Sequence, residues 1–299
     1  MVVFHFDGSE ALRRRLDAQG VVLCPESDEA QFRRLLAQVE VLWHVLKPVT
    51  AEIIARAPKL RLIQKIGIGV NTIDLAAAKA RGIAVCNLPG SNSRAVAEMT
   101  LLLMLACLRR VADLNRMVRT PDGWKAAWEL QDHFGELGGR TVGLVGYGAV
   151  PRLLRPMLDA MGAEVLYWSR SHKNSELNAL LAQADIVSLH LPLTTETEGA
   201  VDIRKMKPGA ILINTARGAL VNEEDLVDSL TRGRLAAAGL DVFAHEPLPP
   251  DHALLALANV VAAPHLAWLT RETLERSIGA ALENVNSLHA GLPLANRVA

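Results

Sequence analysis

The sequence predicts an α/β protein with two doubly wound, parallel-sheet domains, and three observations carry that expectation. Apolar runs of strand length alternate along the chain with helical patterns of about ten residues, the signature of a parallel sheet covered by helices. One such unit, Thr141 to Arg170, turns through Gly146 and Gly148 between its first strand and its helix. The chain has 299 residues, half of them hydrophobic, enough material for two cores.

In order, Val2–Phe6 reads as a strand, Ser9–Gln19 as a helix and Val21–Leu23 as a strand. Asp28–Gln38 is helical with Ser27 or Asp28 as its cap, and Val39–Val45 is apolar again. Thr50–Ala57 is a short helix, Leu60–Ile66 a strand, Asp74–Arg81 a helix ended by Gly82, and Ile83–Asn87 a strand. Between the last strand pair lies Lys65 to Asp74, with glycines at 67 and 69. Backbone N–H groups at such glycines can hold a carboxylate as an anion nest, or the loop is a tight turn capped by Asp74. The residues leave both readings open. Trp43 either borders a pocket, where its bulk favours small substrates, or ends a core strand.

Ser91 to about Arg119 is one long helical pattern with an apolar middle, capped by Ser91 or Ser93. Thr120 to Gly139 is a loop-rich excursion carrying Trp124 and Trp128. Exposed tryptophans on an excursion often serve an interface, which points to the arm of a homodimer.

The glycine-turned unit follows. Val142–Val145 is a strand, the helix runs to about Met161, and Glu164–Trp168 is the next strand. Strand, glycine turn, helix, strand is the arrangement that places a pyrophosphate on a helix N-terminus. Gly146, Gly148, Ala149 and Val150 are therefore candidate cofactor-binding residues. The third glycine position of the usual fingerprint is Pro151; proline is at home in the first turn of a helix, but close helix–strand contact is weakened. At the end of the second strand an acidic residue usually meets the ribose 2′-hydroxyl. Here the chain reads Ser169-Arg170-Ser171-His172-Lys173, without a carboxylate before Glu176. Arg170 and Lys173 suit a 2′-phosphate, so NADP(H) is expected in preference to NAD(H), with NAD(H) still possible.

Beyond it, Asp185–Leu189, Ala210–Asn214, Ala236–Val242 and Val260–Ala263 are strands, Glu223–Arg232 is a helix, and a last helix runs from Thr270 to about His289. That helix could return to the first domain. Ligands of such sheets bind outside the carboxyl ends of the strands. The rule selects loops 190–194, 214–218, 241–246 and 264–268, and with them His190, Pro192, Thr215 and Ala216 as further cofactor-facing candidates.

Composition narrows the function classes. A formal net charge of zero gives no electrostatic case for nucleic acid or a membrane surface, and 4% aromatic residues argue against a base-stacking platform. Cys24, Cys86 and Cys107 are dispersed and odd in number, so they read as small buried residues rather than disulfides or metal ligands. The apolar run Met99–Leu108 is too short to span a bilayer, and Met1 leads directly into a strand rather than a signal peptide. A cytoplasmic protein without a bound metal is expected.

At the selected strand ends stand Arg217, Glu246 and His265. Interconverting a 2-hydroxy acid and a 2-keto acid needs a cation for the carboxylate and C2 oxygen, a group that exchanges the hydroxyl proton, and a hydride partner. The guanidinium fork of Arg217 suits the first task and His265 the second. Glu246, hydrogen-bonded to the imidazole, would fix its tautomer and favour the protonated ring.

These residues lie in longer motifs: I-G-x-G-x-x-x-I-D at 66–74, N-x-P at 87–89, V-A-E at 96–98, G-x-G at 146–148, L-H-L-P-L-T at 189–194, N-T-A-R-G at 214–218, D-V-F-x-x-E-P at 241–247 and P-H-x-A at 264–267. In their order and coverage they resemble the D-isomer-specific 2-hydroxyacid dehydrogenase family. The resemblance implies two Rossmann-like domains, with a cofactor domain (93–267) inserted into a discontinuous substrate domain (1–92 and 268–299). It places the catalytic cleft at their junction and implies a homodimer built on the cofactor domains. It also implies that Arg217 binds substrate, that Glu246 assists and that His265 is the acid/base. The backbone around Ile68 and Gly69 would receive the substrate carboxylate, and Asp241 would face the nicotinamide carboxamide.

Trp268 after P-H-L-A resembles the family's glyoxylate and hydroxypyruvate reductases and is a candidate substrate residue. Formate dehydrogenases carry glutamine where Glu246 stands, and the regulatory domain of many phosphoglycerate dehydrogenases is missing from these 299 residues. The expected activity is reduction of a small 2-keto acid to the D-2-hydroxy acid, and the reverse. A cofactor-sensing corepressor and a dehydrogenase of another small substrate such as phosphite are the alternatives.

Overall fold

The computed structural model describes residues 1–299 and turns the apolar runs into two parallel sheets. The chain divides into two units, Met1–Asn92 with Thr270–Ala299, and Ser93–Leu269. The return to the first unit falls at Thr270 rather than 268: the Leu269 N–H is bonded to the Leu266 carbonyl, in the loop that Asp241 holds in the second unit.

The first unit contains β1 (Val2–His5), α1 (Glu10–Asp17), β2 (Val21–Cys24), α2 (Glu29–Leu35), β3 (Val41–His44), α3 (Ala51–Ala55), β4 (Leu62–Lys65), α4 (Leu75–Ala80) and β5 (Ala84–Cys86). Its sheet has the order β2-β1-β3-β4-β5, every pair parallel. The strands are almost wholly buried, as helices on both faces require, and this is why they read as unbroken apolar runs. Helix starts are set by side-chain caps: Ser9 accepts from the Leu12 N–H, Asp28 from Gln31 and Asp74 from Ala77. Trp43 belongs to the core: it is fully buried, edge-on to Phe4 at 5.8 Å.

The second unit opens with α5 (Ser93–Arg109), α6 (Val111–Met117) and α7 (Gly123–Ala127). The single helix expected over 91–119 is broken, because Arg110 adopts a left-handed conformation (φ 49°). Its guanidinium bonds Asp113 at 2.8 Å and so holds a conformation that glycine usually supplies. The 120–139 excursion is also more ordered than a loop, with α7 followed by a 3-10 turn over Trp128–His133. Trp124 and Trp128 are 73% and 77% exposed there.

There follow β6 (Thr141–Val145), α8 (Ala149–Ala160), β7 (Glu164–Trp168), α9 (Leu177–Gln183), β8 (Ile186–Leu189), β9 (Ile211–Asn214), α10 (Glu223–Thr231), β10 (Ala237–Leu240), α11 (Ala253–Ala256) and β11 (Val260–Ala262). Helices α9 and α11 lie in stretches without a clear sequence signal. The sheet order is β11-β10-β9-β8-β6-β7, again parallel throughout. Strand order reverses between β6 and β8, and that switch point opens a crevice at the carboxyl ends. Helix α8 runs through Pro156, which lies on its exposed side, while Leu154 and Leu158 bury the opposite face. Packing of that stripe outweighs one missing helical hydrogen bond. The three cysteines are buried, and burial pushes their thiols up to about 11 for Cys24 and Cys86 and about 12 for Cys107, so they are poor nucleophiles. No helix is long and apolar enough to cross a membrane.

The chain closes with α12 (Arg271–Ala290), capped by Thr270 and ended by Gly291 at φ 67°. Asn284 on α12 joins this helix to the first unit's sheet. Its amide donates to the Gln64 Oε1 at 2.7 Å and to the Ala295 carbonyl, and its oxygen accepts the Ala295 N–H. Both Asn284 and Gln64 are buried. Asn284→Ala leaves these groups unpaired, each at roughly 1–3 kcal/mol. A loss of about 3 kcal/mol in urea unfolding is expected, and an unchanged midpoint would show that water replaces the amide.

Candidate active site

Three neighbouring parallel strands, β9, β10 and β11, carry Arg217, Glu246 and His265 on the loops that leave their carboxyl ends. Leu240 of β10 is in register with both Asn214 of β9 and Ala262 of β11, so the loops start level. The Nδ1 of His265 lies 2.6 Å from the Glu246 Oε2. The other Glu246 oxygen accepts the Phe243 N–H at 3.0 Å. Burial alone would raise the Glu246 carboxyl. The bonds from His265 and Phe243 and the charge of Arg217 outweigh it and hold the carboxyl below its usual range. An ionised acceptor on Nδ1 keeps the proton there, so Nε2 is the ring atom left to exchange a proton.

Arg217 is presented by an asparagine-built turn. The Asn214 side chain, itself buried, accepts the Ala216 N–H at 3.0 Å and donates to the Arg217 carbonyl at 2.8 Å. The Arg217 Nη1 donates to the Ala216 carbonyl at 2.6 Å. Burial pulls the guanidinium down from its ordinary value and the Glu246 charge opposes this; the group stays cationic. Gly218 follows because nothing larger fits: a Cβ there would lie 1.9 Å from the Phe243 carbonyl carbon. The Arg217 turn and the loop that carries Glu246 are thus packed backbone on backbone. Thr215 has its own partner. The hydroxyl of buried Thr100 donates to the Val96 carbonyl at 2.7 Å, so in its 2.9 Å contact with the Thr215 hydroxyl it must accept.

Asp241 holds the histidine loop. Its carboxylate accepts the N–H groups of Leu266 and Ala267, both at 2.9 Å, while its carbonyl accepts the His265 N–H at 2.8 Å. His265 is kept at φ 57° by these bonds. Burial pushes the Asp241 carboxyl up, against the two backbone bonds that favour its charge.

At the switch point, Gly146 has φ 99°, and a Cβ on it would lie 2.6 Å from the His190 carbonyl oxygen. Gly148 starts α8 without any side-chain cap, and the space beside its Cα is open. Exposed Ala149 and half-buried Val150 form the first turn with buried Pro151. An uncapped helix N-terminus at the switch point, approached through two glycines, fits the pyrophosphate of a dinucleotide. The His190 Nε2 meets the Ser188 hydroxyl at 2.9 Å, and burial lowers the imidazole to about 3, so it is neutral. Pro192 is exposed and its carbonyl accepts the Thr197 hydroxyl at 2.6 Å. Past β7, the Ser169 hydroxyl is turned onto its own loop, accepting the His172 N–H and donating to its carbonyl. Lys173 is ion-paired with Glu176 at 2.7 Å, so Arg170 is the loop's exposed cation without such a partner nearby in sequence.

In the first unit, Ile68 is exposed and its carbonyl accepts from the Asn87 amide at 2.9 Å. Gly67, at φ 146°, receives the Leu88 N–H on its carbonyl, and Gly69 is half-buried. Trp268 is buried in the second unit. The supporting roles of Asn214 and Thr100 escaped the sequence reading, although an asparagine two residues before a turn amide is a detectable signal; Thr100 had none, being far from Thr215 in the chain.

Residues 101–267 match the family model for D-isomer specific 2-hydroxyacid dehydrogenase, NAD binding domain. A glyoxylate reductase of Aeropyrum pernix is 40% identical over 259 residues, 81% of this chain and 77% of that protein. A hydroxypyruvate reductase of Blautia hydrogenotrophica is 33% identical over 275 residues, 87% of this chain and 85% of the other. A crystal structure of a Thermus thermophilus protein has a TM-score of 0.89 and 38% identity, covering 100% of this chain and 99% of that one. By these matches the chain belongs to the D-isomer-specific 2-hydroxyacid dehydrogenase family and is a nicotinamide-dependent oxidoreductase.

Proposed function

We propose that the protein reduces a small 2-keto acid of the glyoxylate or hydroxypyruvate type to the D-2-hydroxy acid, and catalyses the reverse. The observation that carries this reading is the Glu246–His265 pair at 2.6 Å, on loops beside that of Arg217. A bound nicotinamide supplies the hydride. Arg217 binds the keto acid and polarises its C2 oxygen, Glu246 fixes the imidazole, and the His265 Nε2 delivers the proton to that oxygen. Relatives named for glyoxylate and hydroxypyruvate support the substrate class. Ile68, Gly69 and Trp268 keep the assignment to substrate that the resemblance gives them, and residues 1–92 with the C-terminal segment are assigned as the substrate domain. Gly146, Gly148, Ala149, Val150, His190, Pro192, Thr215, Ala216 and Asp241 are assigned to the cofactor. A cytoplasmic location is part of the proposal.

The test is a panel of 2-keto acids run with wild type and two variants. His265→Ala should lose roughly 10²–10⁴-fold in turnover, the usual worth of a positioned acid/base, and Arg217→Ala should chiefly raise KM. Normal turnover in the histidine variant contradicts the assignment.

The cofactor preference is NADPH. Arg170 carries it, because a charge-assisted bond to a 2′-phosphate is worth about 1.5–3 kcal/mol, while Ser169 is engaged in shaping the loop and Lys173 in its ion pair. Arg170→Ala should lower kcat/KM for NADPH at least tenfold and leave NADH nearly unchanged. A wild type that uses NADH better ends the proposal.

A homodimer is the proposed assembly, since Leu102, Val111, Val118, Trp124 and Trp128 are all exposed on α5 to α7 and the turn that follows. Light scattering should return twice the chain mass, and a monomer would contradict it.

A further inference from the structure

Two adjacent peptide N–H groups in the loop after β10 are held by two different carboxylates. Phe243 donates to Glu246, as described, and Ala244 donates to the Glu223 Oε2 at 3.0 Å. Glu223 is the first residue of α10, directly behind the Asn222 cap. Its other oxygen lies 3.2 Å from the His252 Nε2. The His252 Nδ1 accepts the Leu254 N–H at 3.3 Å, so the ring proton sits on Nε2 and points at Glu223. From the other side, Gly218 packs against the same Phe243–Ala244 peptide. The residue after Arg217 and the carboxylate of Glu223 therefore meet at this peptide, and the anchor of Glu246, the Phe243 N–H, lies on the peptide immediately before it.

We propose that Glu223 is a positioning residue for the reaction. By holding the Ala244 N–H it fixes the plane of the Phe243–Ala244 peptide; across the Phe243 Cα this steadies the preceding peptide, whose N–H holds the Glu246 carboxylate that orients His265. The proposal rests on the roles given above to Glu246 and His265. With Glu223 removed, the loop loses the outer of its two carboxylate anchors. The Phe243 N–H then drifts from Glu246, and a carboxylate short of one bond becomes easier to protonate. The charged groups facing Glu246 are His265, Arg217 and Asp241, and none of them is altered by the substitution. Removing the Glu223 charge by itself would shift Glu246 the opposite way, toward easier ionisation. The sign of the shift therefore separates lost positioning from lost charge.

Wild type, Glu223→Ala and Glu223→Gln are compared in two measurements, after thermal melts verify folding; Glu224 and Asp225 remain in the first turn to support α10. The first is hydrogen exchange of the peptide spanning 241–247. The second is the pH dependence of reduction across the acid range. In Glu223→Ala, exchange at 243–244 should quicken, kcat should fall about 10- to 100-fold as for a misplaced catalytic group, and the acid limb should move to higher pH. Glutamine keeps an acceptor for the Ala244 N–H and should restore most of all three. Wild-type exchange in the alanine variant, an acid limb that stays or moves lower, or a glutamine variant as impaired as alanine each overturns the proposal. If wild-type enzyme reduces no 2-keto acid, the functional reading falls, and the exchange result still decides whether Glu223 holds the loop.

Discussion

The buried carboxylate of Asp241 is the constraint on which the site depends. It accepts two successive N–H groups from the β11 loop, and the carbonyl of the same residue takes the N–H of His265. Three bonds from one residue at the end of β10 thus set the path of the neighbouring loop. They also hold His265 in a left-handed conformation that a non-glycine residue adopts at a cost of roughly 1–2 kcal/mol. Burial works against the charge that makes these bonds strong. Two backbone donors are what allow a carboxylate to persist there.

From that fixed point the chemistry follows by register. Strands β9, β10 and β11 are level at their carboxyl ends, so loops of different length bring an arginine, a glutamate and a histidine to the same edge of one sheet. The glutamate anchors itself to its own loop through the Phe243 N–H before it reaches the imidazole. The loops of the histidine and the arginine are in turn set by the Asp241 bonds and by the Asn214 turn. The crevice at the switch point opens on the same sheet, where Gly146 passes within contact distance of the His190 backbone. The proposed dinucleotide site and the proposed reacting groups therefore share one sheet edge.

Most of the fold was legible because a parallel sheet buried on both faces must be written in unbroken apolar runs, as in β1, β6 and β8. The break at Arg110 is held by a side-chain bond to Asp113 instead of a glycine, so the helical pattern ran on through it. The helix expected to run to about Met161 does continue across Pro156, because packing of Leu154 and Leu158 carries α8 over the missing bond. At the site, strand ends pointed to Arg217, Glu246 and His265, because the carboxyl-end rule needs only the strand assignment. Supporting contacts such as Thr100 to Thr215 or Glu223 to Ala244 join residues distant in sequence, and no local pattern encodes them. Likewise the sequence shows the charge of Lys173 but not its pairing with Glu176.

The most direct measurement of the central claim follows the hydrogen itself. Hydroxypyruvate is reduced with NADPH deuterated at the transferred position, and the product is analysed for chirality and label. D-glycerate carrying deuterium at C2 is the result predicted by a reductase that delivers hydride from the nicotinamide to the 2-keto carbon. L-glycerate, or a product without deuterium at C2, would contradict the account.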